Sequence, residues 1–407
     1  MVKKGLTKAG LKAEIIKQVE YHRHELIELS LKIHANPEIG FKEEKALAWL
    51  TSYLEKNGFQ IEKGIGGLPT AFKAVYGSGK PVIALLAEYD ALPEVGHACG
   101  HNIIAASAIG AGVASKYIVD NCNGTVAILG TPAEEFFGGK VIMLKAGVFD
   151  GMDAAMIVHP GTRNMVTTEA LACISLEIEF FGKAAHAAAH PEQGVNALEA
   201  MILAFNALNS LRQHVKDKVR IHGIITHGGE AANVVPAYSA AKLLVRAPDT
   251  AYLDELKQKV LHCFNGASLA TGAQLDYKWG GIVYAPMSNH LGLARLFSQN
   301  LESLGRRVEP FETRFGFGST DVGNVSQVIP TIHPTVAIAS PGISLHSADF
   351  ALAAASEEGH KGLLDAAKAL AMTIADLLSE PEVLVKVKEE FSKQSLQQRN
   401  TNQLRQI

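Results

Sequence analysis

The sequence predicts an α/β protein: a mixed, mostly parallel sheet layered with helices and interrupted by an inserted α+β domain. Two observations predict it. Apolar runs too short for helices alternate with helical stretches up to about residue 170 and again after about residue 283. Between them the pattern turns strictly alternating, as in a half-exposed antiparallel strand. The expected division is therefore 1–170 and 283–407 for a discontinuous first domain, with 171–282 inserted.

Leu11, Ile15, Ile16, Val19, Leu26, Ile27 and Leu29 recur at largely helical spacing, so one amphipathic helix is expected from Leu11 to Ile33, ended by Asn36-Pro37. A second runs from about Glu43 to Asn57 and stops at Gly58. The runs Val82 to Ala87, Val126 to Leu129 and Ala154 to Val158 read as buried parallel strands, separated by helices at Ile103 to Val119 and Lys140 to Ala146. In the inserted block Ile174-Ser-Leu-Glu-Ile-Glu-Phe180 alternates. It is followed by a helix at Val195 to His214, strands at Val219 to Thr226 and Ala240 to Val245, a helix at Ala251 to Asn265 and a strand at Gln274 to Trp279. The α/β pattern resumes with a helix at Leu291 to Leu304, a strand at Thr335 to Ala339 and a helix at Ala355 to Leu378. The polar stretch from Lys393 to Ile407 is expected to fray.

Composition narrows the function classes. At 47% hydrophobic and 19% charged, the 407 residues are too apolar for a disordered chain. With 38 basic and 41 acidic residues the formal charge is -3, which disfavours a nucleic-acid partner. No apolar run approaching the ~20 residues of a membrane span is read, nor a secretory signal behind Lys3 and Lys4, so no membrane partner and a cytoplasmic location are expected. The four cysteines are irregularly spaced, unlike a disulfide framework.

The chemistry gathers where strands end. Val82 to Ala87 leads into Glu88-Tyr-Asp90 and then Gly96-His-Ala-Cys-Gly-His101. Val126 to Leu129 leads into Thr131-Pro-Ala-Glu-Glu135, and Ala154 to Val158 into His159-Pro160. Open parallel sheets bind ligands beyond the carboxyl ends of their strands. Cys99, His101, Glu135 and His159 thus converge as a set of donors suited to zinc or a similar ion. In the doublet Glu134-Glu135 one carboxylate can hold metal while its neighbour takes a proton from metal-held water. Each motif alone is commonplace: a small buried thiol, a solvated acidic pair, a loop. Their joint placement makes the metal set.

These motifs, with spacings of 36 residues from Cys99 to Glu135 and 24 from Glu135 to His159, resemble the M20 metallopeptidases, in particular their amidohydrolase branch. The resemblance implies a zinc-exopeptidase-like first domain with a lid and dimerisation domain inserted. It implies two divalent ions (zinc or manganese, cobalt or nickel as alternatives) bridged by Cys99 and held by His101, Glu135, His159 and, in Ser344-Leu-His346-Ser347, His346. It makes Glu134 the general base and acid. Asp90 would orient a ligand imidazole, the alternative being an ordinary cap. His186, in Phe181-Gly-Lys-Ala-Ala-His186, would cross to the partner subunit's site and stabilise the oxyanion. Asn233, His227, Gly318 and Ser319 would face substrate. Arg246 would bind a substrate carboxylate, against the alternative of a surface salt bridge. His190, His222 and His333 are read as structural or surface. Asn102 replaces an Asp common in this branch.

The function so implied is metal-dependent hydrolysis of the amide of a small N-acyl-amino acid or dipeptide with a free carboxylate, by a homodimer formed through the lid. A peptidase acting on longer peptides and a catalytically silent binding protein of the same fold are the alternatives. The run Gly316-Phe-Gly-Ser-Thr-Asp321-Val-Gly-Asn324 is a glycine-rich turn able to offer backbone N–H groups to an anion, without the lysine of a P-loop.

Overall fold

The computed structural model describes residues 7–309 and 318–404. Its chain opens on α1 (Lys8–Tyr21) and α2 (Arg23–His34), where one helix is expected. The break is His22, whose φ of -89° and ψ of 3° leave the helical region. Its Nδ1 lies 3.2 Å from Glu25 Oε2 and 3.0 Å from the Tyr53 hydroxyl. Leu11, Ile15 and Val19 on one side of the kink and Leu26, Leu29 and Ile33 on the other are all buried. The apolar period therefore continues across a bend for which it carries no signal.

Next come α3 (Glu44–Lys56), β1 (Gln60–Lys63), β2 (Phe72–Ser78), β3 (Val82–Ala87), α4 (His101–Asn121), β4 (Gly124–Gly130), α5 (Glu134–Phe137), α6 (Gly139–Lys145), β5 (Ala154–Met156) and β6 (His159–Gly161). The following segment holds β7 (Ala172–Phe181), α7 (Ala197–Leu211), β8 (Arg220–His227), β9 (Tyr238–Ala247), α8 (Thr250–Thr271) and β10 (Gln274–Trp279). The chain finishes with α9 (Leu291–Ser303), α10 (Val322–Ser326), β11 (Thr331–Ile332), β12 (Thr335–Ala337), α11 (Ala348–Ala353), α12 (Glu357–Ser379) and α13 (Pro381–Leu404). The polar tail expected to fray from Lys393 is thus helical through Leu404. Leu384 and Val387 near the start of α13 are buried in the core and anchor it. Residues 405–407 lie outside the described residues.

The chain forms two compact units. The smaller is Ala170–Pro286 with the turn at 318–319; the rest of the described chain is the larger. The inserted unit thus runs past the expected end at 282.

In the larger unit a six-stranded sheet has the order β1-β2-β4-β3-β5-β11. β3 lies parallel to β4 and β5, and β11 parallel to β5, while β1 and β2 form an antiparallel edge. That edge is not legible in the sequence, since β1 is only four residues with no buried side chain. The run expected as one strand from Ala154 to Val158 ends at Met156, and β6 pairs instead with β12 in a separate two-stranded ribbon. α4 and α12 pack together over the sheet, and α1 and α2 pack on α4.

α4 corrects one expectation. By length and composition it is apolar enough to cross a membrane, yet 83% of its most apolar window is buried inside the protein. Sheet on one side and helices on the other account for an all-round apolar helix. Gly112 lets it approach the sheet: a Cβ there would sit 2.3 Å from Ile128 Cδ1.

In the smaller unit the antiparallel order is β10-β7-β9-β8. Ile174, Leu176, Ile178 and Phe180 of β7 meet Met201 and Leu208 of α7 and Leu256, Val260 and Phe264 of α8 in its core. The alternate residues Glu177 and Lys242, directly paired across β7 and β9, remain exposed. Alternation on one-sided burial explains why this block is readable from sequence.

Because Ile128 is fixed within the sheet, Gly112→Val is expected to destabilise the larger unit by roughly 1–3 kcal/mol through overpacking. Urea unfolding followed by tryptophan fluorescence checks it, with a lowered midpoint as the expected outcome.

Candidate metal centre

The carboxyl ends of β3, β4 and β5 deliver side chains to one buried edge. β3 runs into Glu88, Tyr89 and Asp90, all at most 1% exposed. Gly100, with φ of 77°, starts α4. A Cβ on it would meet Pro160 Cγ at 2.5 Å, so only glycine lets the Cys99-His101 segment lie against the His159-Pro160 turn. β4 leads into Ala133, which has a φ of 61° and whose N–H donates to Glu43 Oε1 at 2.9 Å. That strained turn sets Glu134 and Glu135 at the start of α5. The Glu135 N–H donates to Asp90 Oδ2 at 3.0 Å. His346, with φ of 63°, is pinned by its N–H to Ala98 O at 2.9 Å.

The imidazoles are oriented alike. His101 Nδ1 is 2.9 Å from Asp90 Oδ1, and His159 Nδ1 is 2.6 Å from the Pro160 carbonyl oxygen. Carbonyl and carboxylate oxygens accept, so each Nδ1 carries a proton and each Nε2 turns inward. His159 Nε2 lies 3.3 Å from Cys99 Sγ. His101 Nε2 lies 3.6 Å from Glu88 Oε2 and 3.8 Å from Glu135 Oε1, and His346 Nε2 lies 3.5 Å from Glu135 Oε1.

Donor atoms within 4.8 Å of one another fall into the sets Cys99-His101-His159, Cys99-Glu135-His346 and His101-Glu134-Glu135. The thiol belongs to two of them. His101 Nε2 and Glu135 Oε1 are buried with no hydrogen-bond partner among the described residues, an arrangement costly unless a cation or proton fills it. The donor set of one thiol, three imidazoles and carboxylates fits divalent ions of the zinc type.

Electrostatics point the same way. Burial pushes the Cys99 thiol far up, reinforced by Glu135, so a thiolate there requires a neighbouring cation. Burial also raises Glu134 well above the carboxylate range, followed by the charges of Glu88, Asp321 and Glu135. Burial brings His159 to about 3 and His333 to about 4, leaving both neutral ligands or acceptors at neutral pH. His101 behaves oppositely. Burial disfavours its charged form, but Asp90 and Cys99 outweigh it and hold the imidazolium. A proton on Nε2 and a bound cation are alternatives in the same position.

The residues expected to face substrate lie on the smaller unit. Arg246, half-buried on β9, donates from Nη1 to Ser319 Oγ at 2.8 Å. The backbone carbonyl of Gly318 accepts from Leu171 N at 2.9 Å. His186 is exposed, and its Nδ1 accepts from the Ala188 and Ala189 N–H groups at 3.3 and 3.2 Å, leaving the proton on Nε2. The Asn233 carbonyl accepts from Ala187 N at 3.0 Å, and His227 Nε2 lies 3.2 Å from Glu230. Gly316 and Phe317 of the glycine-rich run lie outside the described residues. Asp321, further along the run, accepts from Lys140.

Two readings change. Of the two readings for His333, structural or surface, burial removes the second: it is 7% exposed, its ring centroid is 5.6 Å from that of His159, and neither ring nitrogen has a hydrogen-bond partner among the described residues. It follows β11, and the strand-end rule would find it if a two-residue strand left any pattern. Asn102 turns away from the donors and gives its side-chain N–H groups to Ser30 Oγ at 2.9 Å and the Ala354 carbonyl at 3.0 Å. An Asp could not donate to that carbonyl.

Residues 172–270 match the family model described as a peptidase dimerisation domain. Over 397 residues the chain is 37% identical to the Xaa-Arg dipeptidase of Mus musculus, spanning 94% of this chain and 92% of that protein. The chain belongs to the M20 metallopeptidase family. It is also 30% identical to one of the p-aminobenzoyl-glutamate hydrolase polypeptides of Escherichia coli, over 91% of this chain and 93% of that one. Among solved structures of the M20 fold, a dinuclear metal-binding peptidase from Bacillus subtilis superposes with a TM-score of 0.69 at 21% identity, covering 88% of this chain and 99% of that one. As an M20 protein the chain is a hydrolase of α/β fold.

Glu43 gives a pH-dependent outcome. Burial and then the Asp90 charge push its carboxyl up to about 7 from the ordinary 4.5. Between those values the folded protein holds a proton that the unfolded chain has released, so this group's contribution to stability falls as pH rises through the window. Glu43→Gln keeps the acceptor for Ala133 and is expected to be more stable than wild type at pH 8 by about 3 kcal/mol, the gap closing below pH 4.5. Paired urea titrations across that range check it.

Proposed function

We propose that this M20 protein hydrolyses the amide of a small N-acyl-amino acid or dipeptide bearing a free carboxylate, using two divalent ions. The supporting observation is Cys99 Sγ, which stands in both the Cys99-His101-His159 and the Cys99-Glu135-His346 sets and so suits a bridging thiolate. When bound, such ions acidify water and polarise the substrate carbonyl. Zinc or manganese suit the donors, with cobalt or nickel as alternatives.

Glu134 takes the proton from the attacking water and returns it to the leaving amine nitrogen. Burial and the neighbouring acids hold that carboxyl above the ordinary carboxylate range, which favours its keeping the proton between the two transfers. Asp90 keeps the His101 ring in place with its lone pair inward. His186, protonated on Nε2, is a neutral donor suited to a developing oxyanion in the partner subunit of a homodimer formed through the smaller unit. Arg246 and Ser319 bind the substrate carboxylate, with Gly318, His227 and Asn233 bordering it. The relatives' names support a carboxylate in particular. Xaa-Arg dipeptides and p-aminobenzoyl-glutamate carry opposite side-chain charges and share an amide-linked amino acid with a free α-carboxylate. Both are also small, which favours this reading over a peptidase for longer peptides. The presence of Cys99, His101, Glu134, Glu135, His159 and His346 together favours catalysis over a silent binding protein.

Turnover is to be measured on N-acyl-amino acids, dipeptides and longer peptides with zinc, manganese, cobalt and nickel added in turn. Glu134→Ala is expected to lose roughly 10²- to 10⁴-fold in kcat while keeping its metal. Cys99→Ala is expected to lower metal content by elemental analysis. Undiminished turnover by Glu134→Ala, or full metal occupancy in Cys99→Ala, overturns the respective assignment. Mixing His186→Ala with Glu134→Ala subunits is expected to restore activity that neither has alone, since a mixed dimer would hold one intact site.

A further inference from the structure

Beside these donor sets lies a fourth, wholly acidic, in which only Glu134 has an assigned task. Glu88, Glu134 and Asp321 each offer an oxygen, and the three lie within 4.8 Å of one another, spacing that suits a cation. The place is already filled. Lys140 Nζ is 2.6 Å from Glu88 Oε1 and 2.7 Å from Asp321 Oδ1, and the Lys140 backbone N–H donates to Asp321 Oδ2 at 2.9 Å. Lys140 and Asp321 are fully buried and Glu88 is 1% exposed.

We propose that the Lys140 ammonium is a built-in substitute for a third divalent cation, which holds Glu88 and Asp321 beside Glu134 and keeps that trio from taking up metal. A lysine is seldom fully buried, because its charge and long stem both favour water. Here two carboxylates at short range and a backbone tether hold it. Gly139 makes the placement possible: its Cβ would lie 1.9 Å from the Pro132 carbonyl oxygen, so only glycine brings the start of α6 this close to the turn bearing Glu134.

An ammonium suits the task better than an ion would. It carries one fixed positive charge and three donors, neutralises part of the trio and leaves Glu134 able to exchange a proton. A divalent ion in the same place would bind Glu134 as a ligand and remove it from proton transfer. Lys140 is therefore a positioning residue. It acts through Glu134 and through Glu88, whose second oxygen is 3.6 Å from His101 Nε2.

The inference rests on the two-ion reading above, and metal stoichiometry tests them separately. Wild type, Lys140→Met and Lys140→Met/Asp321→Asn are saturated with manganese, desalted and counted by elemental analysis, with melting temperatures recorded before and after chelation. Lys140→Met is expected to hold one ion per chain more than wild type, to melt below it when chelated, and to gain more on adding manganese. The double variant, with one acidic ligand removed, is expected to return to the wild-type count. A merely structural lysine would lower the melting temperature and leave the count unchanged, and that equality in a folded Lys140→Met overturns the proposal. Where the single variant does not fold without metal, its folding on added manganese supports the proposal, and its failure to fold with manganese while the double variant folds overturns it. Failure of both to fold makes Lys140 a packing residue and overturns it. A wild-type count of zero or one would instead overturn the two-ion reading, while the difference between variant and wild type still decides the role of Lys140.

Discussion

The local structure of the larger unit's edge answers to one constraint: acidic groups buried together must be neutralised. Glu88, Asp90, Glu134 and Asp321 are at most 8% exposed, and Glu135 joins them. Buried carboxylates left unpaired cost several kcal/mol each. A proton answers part of this, at the Glu134 carboxyl that burial holds well above the carboxylate range. The Lys140 ammonium and the His101 imidazolium answer another part. Among the described residues His101 Nε2 and Glu135 Oε1, both without a hydrogen-bond partner, belong to the donor sets that share the Cys99 thiol or adjoin it.

That constraint explains the backbone. Positive φ at Gly100, Ala133 and His346 is tolerated at three separate turns that all present donors to the same edge. At Ala133 and His346, which are not glycines, that conformation is strained, and it is kept where it sets donors in place. Asp90 ties two of these turns together, bonding to His101 from one and to the Glu135 N–H from another.

How much of this is legible in the sequence follows from pattern length. β3, β4 and β7 are six or more residues with continuous or alternating burial, and they can be read. β1 and β11 are four residues or fewer, below what periodicity resolves, and so nothing in the sequence signals the buried place of His333 behind β11. The break at His22 is hidden because both helices bury the same apolar period. Cys99, His101, Glu134, Glu135 and His159 stand out because each follows a readable strand or a motif. Lys140 has no such signal: a single lysine at the start of a helix looks like a solvated cation, and only tertiary structure shows it buried. His346 comes from family resemblance alone.

The position of the inserted unit has a consequence for biosynthesis. Asp321, His333 and His346 all follow residue 286, as does α12, which packs on α4. A nascent chain that has emerged only through the inserted unit therefore carries Cys99, His101, Glu134, Glu135 and His159 on an edge lacking β11, its parallel neighbour to β5. Contacts of such large sequence separation form late and slowly. Until they do, Lys140 lacks one of its two carboxylates and Cys99 is without its closing histidine loop. That opening lasts at least as long as the ribosome takes to travel from Cys99 to His346.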